Sequence, residues 1–381
     1  MSRFFDLVSK PAREMGGHRP NSAPRQAVSE AQPRFIRLDS NENPFGPSPR
    51  AVEAMRSALR AANSYPDDDC YELTRALAAY HAVPPEQVLV TAGSTALLGL
   101  LCRTMLSPGL NAVTSERSFI VYSMAVRATG AQLVQTPMCG NAFDLGAILD
   151  AIDENTRLVF LANPNNPTGT LLDARTVGRF LAKVPSHVVV VLDEAYYEFA
   201  SHYAGMQQIE YSHSLDYLGQ GASVVVLRTF SKAHGLAGLR VGYGLGPEEL
   251  LAYCARMRNT FSVSSVAQAA ALAALDDQDH IARTVSNNAA QMQGLLDGLS
   301  ELGYSVQATA ANFVYCDLNE EASIVTRRLR NAGVSVRPLG VWGAPTSIRV
   351  SVGTPEQNRF FLEAIGRVAV DSRRVGVRDT G

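Results

Sequence analysis

Several signals that settle a protein's class quickly are missing from these 381 residues. Cysteine is sparse: Cys70, Cys102, Cys139, Cys254 and Cys316 make an odd number, and no two stand at CxxC spacing. That argues against a disulfide framework and a zinc site, and the simplest compartment is a reducing cytoplasm. The histidines form no HExxH or HxxxH pair, so no metal centre is expected. No apolar run approaches the roughly 18 residues that a membrane helix needs. The first ten residues carry charge and no apolar stretch, so neither a cleaved leader nor a membrane partner is expected. An excess of one charge is lacking too. The 34 Lys and Arg nearly balance 36 Asp and Glu, leaving a net charge of −2, and nothing favours a nucleic-acid partner. GxxxxGK[ST] is absent, and GYGLGPEE (242–249) fails the GxGxxG pattern at its third glycine. Phosphate-loop nucleotide binding and dinucleotide-dependent hydride transfer therefore lose their usual markers.

What is present is an alternation of short apolar runs with helical stretches. The runs are QVLVT (87–91), QLVQT (132–136), RLVFLA (157–162), HVVVVLD (187–193), SVVVLRT (223–229) and RVGYGL (240–245). HVVVVL and SVVVL are apolar at successive positions, which marks strands covered on both faces. The expectation is an α/β three-layer sandwich with a mostly parallel central sheet as the large domain, residues 51–274. Shorter strands and helices after a long Ala-rich helical region (about 247–300) suggest a smaller α+β domain over 275–370. Residues 1–50 read as an arm packed on that small domain, with a helix starting near Pro49. Residues 371–381 read as a flexible tail.

In open parallel sheets, ligands bind beyond the carboxyl ends of the strands. Four of the runs end in polar segments: AGSTA (92–96), NPNNPTGT (163–170), Asp193-Glu-Ala-Tyr196, and Phe230-Ser231-Lys232. They should converge. Ser94 and Thr95 open a helix, where free N–H groups favour a phosphate, although alone the pair reads as an ordinary cap. Asp193 at the tip of an apolar strand is costly unless paired. Lys232 is the most telling residue. A partly desolvated amine can attack a carbonyl and form a Schiff base. A cofactor with an aldehyde, a ring nitrogen paired to an acid, and a phosphate would use every one of these groups, and pyridoxal 5'-phosphate is that cofactor.

NPNNPTG, DEAY and SKxxGLAGLRxGY, in this order, resemble the fold-type-I pyridoxal-phosphate aminotransferases. Together with DSNENPFGPSP (39–49), YPD (65–67) and IRVSVGT (348–354), they resemble most the histidinol-phosphate aminotransferases. The resemblance implies that Lys232 is the catalytic lysine and that Asp193 pairs with the ring nitrogen. It implies that Asn166 and Tyr196 bond the ring oxygen and that Phe119 stacks on the ring. Ser94, Thr95, Ser231 and Arg240 would hold the phosphate. Tyr65 would reach it from a neighbouring subunit, which implies a homodimer with shared sites. Arg349 would bind the substrate carboxylate, Arg337 a substrate phosphate, and Asn41 would line the mouth. The implied reaction is amino transfer between a small amino donor and a keto-acid acceptor, 2-oxoglutarate, by a ping-pong cycle. Aromatic or specialised amino donors, and a lyase of the threonine-phosphate decarboxylase kind, share these motifs. The chain departs from the subgroup in GGHRPNSAPRQ (16–26), at Ser262 and at His234, all three expected beside the substrate side chain.

Overall fold

The computed structural model describes residues 7–14 and 35–376. Among the described residues, fourteen strands form two sheets and a hairpin. Strand β1 is Ile36–Leu38, β2 Val88–Thr91, β3 Asn111–Ser115, β4 Gln132–Thr136, β5 Met138–Cys139 and β6 Ala142–Phe143. Strand β7 is Thr156–Ala162, β8 Val189–Asp193, β9 Val224–Thr229, β10 Gly242–Leu245 and β11 Ser305–Gln307. The last three are β12 Phe313–Asp317, β13 Val334–Leu339 and β14 Ala344–Ser351. The large sheet runs β2-β10-β9-β8-β7-β3-β4, parallel except for β10, which is antiparallel to both neighbours. The result is a mixed α/β fold with a mostly parallel sheet. The small sheet runs β1-β13-β14-β12-β11, with β1 parallel to β13 and the remaining pairs antiparallel. Residues 36–38, near the end of the arm, thus become an edge strand of the small sheet. Strands β5 and β6 form a separate hairpin.

The successive apolar positions have the expected cause. Val113, Phe160, Leu161, Val191, Val225 and Leu227 of the large sheet are all fully buried, and each contributes roughly 1.5–3 kcal/mol by leaving water. Val314, Ile348, Val350 and Phe361 form a second cluster beneath the small sheet. The helix Pro49–Ala58 starts where Ser48 caps it, accepting from the Ala51 amide at 3.2 Å.

Three elements differ from the sequence reading. Strand β3 (NAVTS) was absent from it, because Val113 is its one large apolar residue. Its five residues are buried nonetheless, since β7 and β4 pair on either side. The long helical region is in fact three helices, Glu248–Arg256, Ser265–Leu275 and Gln278–Glu301. Ser264 and Asp277 begin the later two by accepting from the amides of Ala267 and His280. The last helix, Pro355–Gly376, carries helical backbone into the segment read as a tail; residues 377–381 lie outside the described residues. Among the described residues, no helix is long and apolar enough to cross a membrane, and no group of His, Cys, Asp and Glu is placed to hold a metal ion.

Candidate active site

The topology brings the polar segments to one edge. Strands β2, β7, β8 and β9 end there, and β10, running the opposite way, begins there, with Gly242 opposite both Thr91 and Thr229. A cavity of about 540 Å³ opens at this edge. Its lining holds Asn41, Ser94, Thr95, Phe119, Asn166, Asp193, Tyr196, Ser231, Lys232, Arg240, Arg337 and Arg349. Twelve of the thirteen residues singled out from the sequence therefore share one space. The thirteenth, Tyr65, is 82% exposed and stacks on Phe261 with ring centroids 4.6 Å apart, outside the cavity of its own chain.

Asp193 closes β8 at the floor. Burial raises its pKa to about 6, against the opposing effect of the Tyr122 hydroxyl, which donates to it at 2.9 Å. Tyr122 is fully buried and stacks on Phe160. Lys232 is half-buried, and its amine donates to the carbonyls of Ser40 (3.0 Å) and Asn41 (3.2 Å). Burial first, and then the charge of Arg349, lower its pKa to about 7. An amine so tuned is partly neutral near neutral pH and can serve as nucleophile or base.

One end of the cavity is built for an anion. The helix Ser94–Met105 begins after Gly93, whose φ of 83° is a glycine conformation and whose missing Cβ leaves room for the Arg240 guanidinium. Gly242 serves likewise, since a Cβ there would stand 2.5 Å from the Ser94 amide nitrogen. Arg240 donates to Ser231 Oγ at 3.2 Å and to the Ala237 carbonyl at 2.9 Å. Its left-handed backbone, φ 54°, is uncommon for a non-glycine residue.

At the other end, Arg337 and Arg349 are direct cross-strand partners on β13 and β14. Two adjacent guanidinium groups repel unless carbonyls or anions surround them. Arg349 donates to Asn166 Oδ1 at 2.5 Å and to the Asp39 carbonyl at 2.9 Å, and Arg337 Nε donates to the same carbonyl at 3.2 Å. Arg349 Nε is a buried donor without a hydrogen-bond partner among the described residues, and burial lowers this residue's pKa. Asn41 joins the two halves. Its amide donates to the Tyr196 hydroxyl at 2.8 Å, its side-chain oxygen accepts from Ser351, and its carbonyl accepts from Asn312 and Lys232.

The structure corrects two expectations. His234 does not line the cavity. It is buried, its ring centroid 4.7 Å from that of Phe230 and its Nδ1 4.0 Å from the Glu198 carboxylate. Burial, and then His280, lower its pKa to about 4, so it is a neutral packing residue. Ser262 is also absent from the lining and lies in the break between two helices; residues 16–26 fall outside the described residues. The sequence reading missed Tyr122, Trp342 and Glu42. The last two line the cavity. The signal for Tyr122 was faint: a hydroxyl three residues after Phe119, within an apolar helix start.

The aminotransferase class I and II family model matches residues 33–365. Histidinol-phosphate aminotransferase 2 of Pseudomonas aeruginosa is 44% identical over 371 residues, covering 97% of this chain and 99% of that protein. Histidinol-phosphate aminotransferase 2 of Pseudomonas fluorescens is 45% identical over 334 residues, covering 88% and 89%. Among solved structures, histidinol-phosphate aminotransferase from Sinorhizobium meliloti, in complex with pyridoxal 5'-phosphate, superposes with a TM-score of 0.82 at 31% identity, covering 89% of this chain and 92% of that one. With the cavity described above, these matches make the chain a member of the class I and II aminotransferase family, a pyridoxal-phosphate-dependent transaminase similar to the histidinol-phosphate aminotransferases.

Proposed function

We propose that the protein moves an amino group from a histidinol-phosphate-type donor to 2-oxoglutarate, the two substrates using one cavity in turn. The observation that carries this is the meeting of Lys232, Asp193 and Arg349 on one cavity whose far end is an anion cradle. The residues fit pyridoxal phosphate. Ser94, Thr95, Ser231 and Arg240 suit the phosphate, helped by the helix N-terminus after Gly93. Asp193, an acceptor braced by Tyr122, suits a protonated ring nitrogen. Asn166 and Tyr196 suit the ring oxygen, and Phe119 suits the ring face. When bound, the cofactor supplies an electron-poor ring that stabilises negative charge at the substrate α-carbon.

The chain's own residues do the rest. Lys232 would hold the cofactor at its aldehyde group, and its amine is the base available to move the proton at the substrate α-carbon. Its lowered pKa keeps part of the amine neutral for that task. Arg349 binds the carboxylate of a keto acid through its planar fork, and the unpartnered Nε is a donor left for that ligand. Arg337 faces a substrate phosphate. Asn41 holds Tyr196 in place at the mouth. A single arginine pair for both anionic substrates favours ping-pong order over simultaneous binding. Tyr65, exposed beside Phe261, is left accessible to a second copy, and in this reading it completes that copy's phosphate cradle in a homodimer, in the cytoplasm.

The test is an absorbance scan of purified holoenzyme with a panel of amino donors. L-histidinol phosphate is expected to convert the bound cofactor to its amine form, and 2-oxoglutarate to restore it. Carbon dioxide release without an acceptor would refute transamination, and so would wild-type turnover by Lys232→Ala.

A further inference from the structure

Trp342 is the only tryptophan in the chain. It ends the short turn Gly340–Trp342 between β13 and β14, the strands that carry Arg337 and Arg349. Its ring lines the cavity and packs against Tyr315, Leu339 and Ala344. Its Nε1–H donates to the Ser118 carbonyl at 2.9 Å, tying the small-sheet unit to the large one at the cavity wall. That anchor is itself held. Ser118 Oγ donates to Asn165 Oδ1 at 3.2 Å, and Asn165 Nδ2 donates to the Arg117 carbonyl at 3.0 Å. An indole whose one donor is already bonded to the protein offers a ligand only an apolar aromatic surface, held in a set orientation. Apart from Phe119 and Ile120, the large side chains around the cavity are polar or charged.

We infer that Trp342 is a specificity-determining residue: its indole is the surface on which a planar ring of the amino donor packs, so the cavity selects donors that carry such a ring beside their anionic end. The inference rests on the transaminase reading above. It assigns Trp342 to the donor side chain, leaving Phe119 to the cofactor.

Calorimetric titration of the holoenzyme with two non-reacting carboxylates tests it. 3-Phenylpropionate has a carboxylate and a ring; 4-methylpentanoate has a carboxylate and a branched alkyl group. The wild type is expected to bind the first about 3- to 10-fold more tightly, the size of one aromatic contact. Trp342→Leu should lose that preference, and Trp342→Phe should keep most of it. Emission from the single tryptophan should change more with 3-phenylpropionate than with 4-methylpentanoate, a readout independent of turnover. Equal binding by the wild type, or an unchanged preference in Trp342→Leu, would overturn the assignment alone. Failure of both ligands to bind the wild type would overturn it together with the proposed role of Arg349 in holding a substrate carboxylate. If Trp342→Leu does not fold, the wild-type emission change and the Trp342→Phe affinities decide.

Discussion

Replacing Tyr122 with Phe removes one hydroxyl and little volume, and it isolates the support of Asp193. The bond is 2.9 Å long between two buried groups. A hydrogen bond to a charged acceptor is worth about 1.5–3 kcal/mol and one to a neutral acceptor about 0.5–1.5 kcal/mol. The hydroxyl therefore favours the carboxylate over the carboxylic acid by about 1–1.5 kcal/mol, close to one pKa unit. Without it, Asp193 moves from about 6 to about 7. The sign follows from proton counts. An unfolded Asp titrates near about 3.9, below its folded value, so the folded state binds more protons across the interval and stability falls as pH rises through it. In the wild type that fall ends near 6; in Tyr122→Phe it continues to about 7. The stability deficit of the variant should grow by about 1–1.5 kcal/mol between about pH 5 and about pH 8.5. Denaturant unfolding of the cofactor-free protein at those two pH values measures it. A deficit that stays constant with pH would refute the argument that Tyr122 acts by holding Asp193 ionised.

Three further outcomes are expected. Co-expressed Lys232→Ala and Tyr65→Ala chains, each inactive alone, should regain about a quarter of wild-type activity, because half of the dimers are mixed and each mixed dimer has one intact site; no recovery would refute sharing of Tyr65. Gly93→Ala puts a Cβ against the Arg240 guanidinium at a φ of 83°, a backbone cost of about 1–3 kcal/mol, so cofactor affinity by equilibrium dialysis should fall about tenfold, and unchanged affinity would contradict the cradle. Arg228→Met leaves Glu194 buried without its 2.8 Å partner, which should cost about 3–5 kcal/mol in unfolding experiments although Arg228 does not touch the cavity.

The sequence alone determined most of the large sheet and one edge of the site. Strands such as VVVLRT announce burial on both faces through local composition, and the residues that follow each strand are fixed to its end by chain connectivity. That is why Asp193, Asn166, Ser231 and Lys232 could be expected to meet. Tertiary structure alone decided what is set by distance in sequence and by side-chain direction. Asn41 reaches Tyr196 across 155 positions, and the Asp39 carbonyl serves two arginines 298 and 310 positions away, links that no periodicity encodes. His234 lies two residues from Lys232, yet it faces the core, because the turn closed by the Gly235 amide on the Lys232 carbonyl separates their directions. Trp342 and Tyr122 carry no motif and acquire their positions from Ser118 and Asp193. Local chemistry named the cofactor; packing between the two sheets decides what lies against it.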